Sequence, residues 1–179
     1  FPLHAPKELI EKYIERYMLG WDVIREQRHA SMKDLDVIDE GAEMADRLER
    51  VPPWSELTFE QKRYQAKKMA VYAAMVDRLD QNVGRLIDYL KSINEYEDIV
   101  FFFLSDNGGC AEEPGGRNTQ AIPGPGQYYT AVGPSWGWAQ NAPFRRYKSW
   151  VHEGGISTPL IARWPATVKP GTMTNQVGH

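Results

Sequence analysis

Six apolar residues in a row, Ile99 to Leu104, run without a break into Ser105-Asp106-Asn107-Gly108-Gly109. The run does not alternate with polar residues, so a strand built from it carries apolar side chains on both faces and needs cover on both. This predicts a central strand over Ile99–Leu104 in a sheet flanked by helices. An acid, an amide and two glycines then stand where the strand must stop. Asp106-Asn107 is either turn chemistry, because Asn-Gly and Asp/Asn clusters form turns readily, or a pair of hard oxygen ligands suited to calcium or magnesium. A histidine in the second place would have pointed to zinc, manganese or iron. In open α/β sheets ligands gather beyond the carboxyl ends of parallel strands. On this stretch alone both readings stand.

The residues before the strand read as helices. Ile10, Tyr13, Ile14, Tyr17, Trp21 and Ile24 recur at steps of three and four, which predicts an amphipathic helix over residues 6–29. Pro6 suits its first turn. Residues 30–57 are charged and less regular, and Pro52-Pro53 breaks any helix there. Thr58-Phe59-Glu60-Gln61 has the form of a capping box. A long helix is expected from it to about Ser92, with Tyr72, Val76, Leu79, Val83, Leu86 and Leu90 as its apolar stripe. Asp77, Arg78, Asp80 and Arg85 read as its solvated face. Helix, strand, then loop is the order of an α/β layer architecture.

Residues 108–143 are rich in Gly and Pro and show no period. They are expected to form an ordered loop lining a site, because Tyr128, Tyr129, Trp136 and Trp138 need something to pack on. Those four rings either pack the loop or stack on a sugar or aryl ring. A second strand is expected at Pro159–Trp164, stopped by Pro165. Between loop and strand, Lys148 stands five residues before Glu153-Gly154-Gly155. A lysine ammonium is a compact charge suited to an anionic oxygen. Taken singly, however, Lys148 reads as a surface lysine and His152 as a structural histidine.

The bulk composition excludes several classes. A formal charge of −3 without a basic run argues against a nucleic-acid partner. One cysteine, Cys110, allows no intrachain disulfide. No apolar run approaches the roughly 20 residues a membrane span needs. The chain opens on Phe1-Pro2-Leu3-His4, without a methionine or a signal pattern, and is expected to be a processed or partial chain.

Taken together, the two motif stretches resemble the sulfatase family, the formylglycine-dependent sulfuric ester hydrolases of the alkaline phosphatase superfamily. "FFFLSDNGG" is similar to that family's strand ending in Asp-Asn-Gly-Gly. "APFRRYKSWVHEGGISTPLIARWP" is similar to its Lys-x-x-x-x-Glu-Gly-Gly segment and the strand after it. "GWAQNAPFRRYK" and the helix "YAAMVDRLDQNVGRLIDYL" resemble arylsulfatase-type members, in the same order. The resemblance implies an α/β fold, alkaline-phosphatase-like, with a mixed or parallel sheet sandwiched by helices. Residues 1–179 would form a single incomplete catalytic domain, cut at both ends.

Carried over residue by residue, the resemblance implies calcium ligands at Asp106 and Asn107 and a sulfate-binding lysine at Lys148. Glu153, Gly154 and Gly155 would shape the turn, and His152 falls on a variable position of the motif. The implied substrate is a small-molecule or carbohydrate sulfate ester. The implied compartment is periplasmic, extracellular or lysosomal. The family's formylglycine is made from the Cys or Ser of a Cys/Ser-x-Pro-x-Arg motif, which this chain lacks; Cys110 is followed by Ala-Glu-Glu-Pro. The two upstream aspartates of the family's calcium site have no counterpart, and His4 is not its catalytic histidine by position. The chain alone is therefore expected to be inactive, as part of an active parent. The alternatives are a phosphatase or phosphonate hydrolase of the same superfamily, a non-catalytic calcium-binding relative, and an unrelated calcium-binding domain.

Overall fold

The computed structural model describes residues 2–113 and 121–178. Part of the expected loop, residues 114–120, lies outside the described residues. The amino-terminal helical pattern forms as three pieces: α1 (Lys7–Glu11), α2 (Ile14–Met18) and α3 (Gly20–Asp34). The single helix expected over 6–29 is thus broken, and it also runs further. Gly20 explains the second break. Its φ of +86° is left-handed, and a Cβ there would stand 2.3 Å from the ring of Trp54. Only glycine accepts both the turn and the close approach.

That approach builds the centre of the core. Trp21 meets Trp54 edge-on at 4.7 Å and Trp136 at 5.7 Å, and Tyr17 meets Trp136 at 5.5 Å. Each such pair adds about 0.5–1.5 kcal/mol beyond the area it buries. The charged stretch before Trp54 is pinned to α3. Trp21 Nε1 donates to the Pro52 carbonyl at 2.9 Å, and Asp22 accepts from the Trp54 amide at 2.8 Å.

Helix α4 (Phe59–Ser92) begins where the capping box predicts. Thr58 accepts from the Gln61 amide, and the Gln61 side chain accepts from the Thr58 amide at 2.8 Å. The stripe expected to face the core does not. Tyr72, Val76, Leu79 and Leu86 are exposed, whereas Ala66, Met69, Ala70, Val71 and Ala74 are buried. The amino-terminal half of α4 packs against α1 and α2 through small residues. The solvated face is also only partly so, because Asp77 binds Lys12, Tyr13 and Gln81, each at 2.8 Å.

β1 (Phe101–Leu104) and β2 (Leu160–Arg163) pair antiparallel, with Phe101 opposite Arg163 and Leu104 opposite Leu160. The expected parallel or mixed sheet, covered on both faces, is not what the described residues form. No residue of either strand is buried, and Phe102, Phe103 and Leu104 are 62%, 52% and 54% exposed. An unalternating apolar run states what cover a strand needs, but within this chain the core forms elsewhere, among α1–α4 and the segment between the two strands.

That segment holds α5 (Gly133–Gln140), within the stretch expected to be loop, and α6 (Glu153–Ile156). Trp136 and Trp138 are 0% and 5% exposed. They are core residues and do not present a stacking surface. Arg25, fully buried, joins α3 to this segment by donating to the carbonyls of Trp138, Pro143 and Phe144, the last two at 3.0 Å. Burial lowers its guanidinium to about 10, so it stays cationic at neutral pH. Among the described residues no helix is long and apolar enough to cross a membrane.

Candidate active site

β1 ends at Leu104, and the chain turns through Ser105, Asp106 and Asn107. Ser105 Oγ donates to the Asn107 carbonyl at 2.8 Å, and Thr158 Oγ1 donates to the Ser105 carbonyl at 2.7 Å. Asp106 is exposed and Asn107 half-buried, and the Asn107 side-chain amide donates to the Asp106 carboxylate. Among the described residues no Lys or Arg pairs with Asp106.

Neither Gly108 nor Gly109 adopts a left-handed φ, and Gly108 is required by space. A Cβ on Gly108 would stand 1.8 Å from the Gly154 carbonyl oxygen, and one on Gly109 would stand 2.6 Å from Gln140 Oε1. The second motif is therefore pressed directly against the first. Gly108 N donates to the Gly155 carbonyl at 3.0 Å, and Lys148 N donates to the Gly109 carbonyl at 3.2 Å. Gly154 and Gly155 are small for the same reason. Added Cβ atoms would meet the Arg146 and Trp150 carbonyl oxygens at 2.3 and 2.0 Å.

Lys148 sits in a tight turn between two left-handed residues, Arg146 at φ +68° and Ser149 at φ +76°. Such φ values in non-glycine residues cost of order 1–3 kcal/mol each and persist where the surroundings dictate them. Lys148 lines a cleft of about 340 Å³ together with Arg50, Glu112, Glu113, Tyr147 and Trp150. Its Nζ lies 3.8 Å from Glu112 Oε2, and both side chains are partly exposed. An exposed pair of this kind is worth under about 1 kcal/mol, so an incoming anion competes for the ammonium.

The geometry thus joins the backbones around Asp106-Asn107 and Lys148, 42 and 41 positions apart in sequence. It does not seat all three side chains in one cleft, because Asp106 and Asn107 do not line the one that holds Lys148. His152 precedes α6 at its N-cap and stacks on Trp150 at 6.2 Å. Cys110 accepts from the Glu112 amide at 3.4 Å, and burial, the main cause, raises its thiol. This favours the neutral thiol over a thiolate nucleophile. Tyr128 is half-buried, and its carbonyl bonds His4 Nε2 at 2.7 Å; Tyr129 is exposed.

The position that sequence reasoning passed over is Asn141, the C-cap of α5. It is 8% exposed and bonded to Gly109 on both sides of that residue. Its signal was present in the quoted "GWAQNAPFRRYK", as a polar residue among apolar ones just ahead of Pro143. Among the described residues no group of three or more His, Cys, Asp or Glu stands together to hold a metal. Asp106 and Asn107 offer two hard oxygens, which suit calcium in kind and fall short of the six to eight that it takes.

Comparison with known proteins agrees with the motifs. The family profile described as Sulfatase matches residues 1–179. The chain is similar to an uncharacterized sulfatase of Schizosaccharomyces pombe, 39% identical over 98% of this chain and 34% of that protein. It is similar to an arylsulfatase of Klebsiella aerogenes, 32% identical over 95% of this chain and 39% of that enzyme. A human N-acetylgalactosamine-6-sulfatase is 27% identical over 60% of this chain and 17% of its own length. The chain spans little more than a third of the length of the first two relatives.

Proposed function

The chain belongs to the sulfatase family, and on that premise we propose that it carries the sulfate-gripping part of a sulfate ester hydrolase. Asp106 and Asn107 are assigned as oxygen ligands of a calcium ion, and Lys148 as the cation that receives a sulfuryl oxygen. The observation that supports this reading is the pair of backbone hydrogen bonds, Gly108 to Gly155 and Lys148 to Gly109, that fasten the two motifs to each other.

The chemistry follows from charge. Attack on a sulfate ester concentrates negative charge on the sulfuryl oxygens, and fixed cations there lower the barrier. A bound calcium supplies Lewis-acid polarisation of one such oxygen. Asp106 contributes formal charge to the ion and Asn107 a neutral dipole. Lys148 brings an ammonium, held by its turn, to the same anion. His152, stacked on Trp150, is proposed only as a residue beside the bound group. The nucleophile is assigned to no residue of this chain. The family implies an alkaline-phosphatase-like α/β fold. The substrate class proposed is an aryl or carbohydrate sulfate ester.

Calorimetric calcium titration and aryl sulfate hydrolysis by the full-length protein test this. Asp106→Ala is expected to remove far more calcium affinity than Asn107→Ala, because charge count tunes calcium sites strongly. Lys148→Met is expected to lower kcat/KM about 100-fold or more. Equal, negligible losses of calcium affinity for the two metal-site variants would reduce Asp106-Asn107 to a turn. Faster hydrolysis of an aryl phosphate than of the matching sulfate would reassign the substrate.

A further inference from the structure

We infer that Asn141 is the positioning residue that sets the calcium ligands and the sulfate lysine relative to each other. The inference rests on the assignment of Asp106, Asn107 and Lys148 given above. It is carried by a two-point clamp. Asn141 Oδ1 accepts from the Gly109 amide at 2.8 Å, and Asn141 Nδ2 donates to the Gly109 carbonyl at 3.1 Å. The side-chain amide thus takes both backbone groups of one residue, as a neighbouring strand would. Its second N–H donates to the Gly137 carbonyl at 2.6 Å, which anchors the clamp to α5.

Gly109 is the junction of the site. It follows Asn107 by two residues, and its carbonyl also accepts from the Lys148 amide at 3.2 Å. Asn141 and Lys148 therefore share one acceptor, whose position depends on the clamp. Asn141 is itself rigid. It is buried, it ends a helix whose two tryptophans lie in the core, and both hydrogens of its amide are used. A carbonyl has two lone pairs, so both donors can be satisfied at once. Removing the amide frees the Gly109 N–H and leaves its carbonyl held by Lys148 alone. Both motif segments can then drift apart without any loss of their own side chains.

No shorter or differently charged side chain reproduces this. Alanine removes all three bonds. Serine is too short to take the donor and acceptor of Gly109 together. Aspartate keeps the acceptor for the Gly109 amide but turns an anionic oxygen toward two carbonyl oxygens. Residues that orient metal ligands at one remove typically carry 10–100-fold in affinity or activity.

The test uses the full-length protein carrying Asn141→Ala, Asn141→Ser or Val71→Ala. Val71 is a fully buried α4 residue beside Gly124, and its truncation serves as the control for lost stability. All measurements are made well below each variant's melting temperature. Calcium Kd is read by calorimetry, and KM and kcat on an aryl sulfate. The two Asn141 variants are expected to weaken calcium about 10-fold or more and to lower kcat/KM by a similar factor. Val71→Ala is expected to lower Tm while leaving both unchanged. If Asn141→Ala does not fold, Asn141→Ser carries the test. Calcium affinity and kcat/KM at wild-type values in a folded Asn141 variant would overturn the inference. If Asp106→Ala and Lys148→Met are also without effect, the site assignment itself fails; if those two lose function and the Asn141 variants do not, only the positioning role fails.

Discussion

The amide of Gly108 donates to the carbonyl of Gly155 at 3.0 Å, and a Cβ on Gly108 would stand 1.8 Å from the oxygen of Gly154. The two motifs of this chain touch through backbone, with no side chain between them. Gly108 thus faces Gly154-Gly155 for reasons of distance. The contact sets how far Asp106-Asn107 can lie from Lys148.

Gly108→Ala is therefore expected to be costly. The methyl group meets backbone, which cannot swing aside as a flexible side chain would, so the two segments must separate. Overpacking of this kind costs about 1–3 kcal/mol or more. Chemical denaturation of the full-length variant should show that loss, together with weakened calcium binding.

On the proposed assignment of Lys148, Glu112 is the group that an incoming anion must displace. Its carboxylate lies 3.8 Å from Lys148 Nζ and accepts from Ser149 Oγ at 3.2 Å. Glu112→Gln removes the competing charge. Inhibition by inorganic sulfate is expected to tighten several-fold at low ionic strength, with stability changed by less than about 1 kcal/mol. Unchanged inhibition would show that the pair does not limit anion entry.

Asp77 ties α1 to α4 in a pH-dependent way. Hydrogen bonds from Lys12, then Tyr13 and Gln81, lower its carboxyl from 3.8 to about 2. The folded carboxyl ionises more readily than the unfolded one. Its stabilisation is therefore present above pH 3.8 and fades as pH falls toward 2. Acid unfolding curves should show Asp77→Asn less stable near neutrality and flatter than wild type across that window.

Asn94 closes α4 in a Schellman arrangement. Its φ is +61°, its amide donates to Lys91 at 3.2 Å, and the Glu95 amide donates to Leu90 at 3.0 Å. Glycine takes this conformation without a Cβ penalty. Asn94→Gly is expected to stabilise by a few tenths to about 1 kcal/mol, read as a raised midpoint in urea.

Gly20→Ala should do the opposite. The residue is left-handed, and its Cβ would enter the ring of Trp54. Trp54 holds Trp21 and Trp136, so the displacement reaches the core centre. A loss of at least about 2 kcal/mol is expected, with altered near-ultraviolet circular dichroism from the tryptophans.

What the sequence determined by itself was local or carried by contiguous motifs. The Thr58–Gln61 capping box and the extent of α4 depend on residues within a turn or two of each other, and so they could be read directly. The pairing of "SDNGG" with "KSWVHEGG" identified the family because two specific strings stand in order. The amino-terminal stripe, with Ile10, Trp21 and Ile24 buried, was legible too, but beyond it tertiary structure decided which apolar positions are buried. The Tyr72–Leu90 stripe and the Phe101–Leu104 run have the apolar patterns of covered elements, yet none of their apolar residues is buried, because a pattern describes one element and burial needs a second. The same holds for Trp136 and Trp138, which became core only when Gly20 let Trp54 approach and Arg25 reached the carbonyls after α5. It holds for Asn141, whose role rests on hydrogen bonds to a residue 32 positions away, a separation that no local pattern encodes.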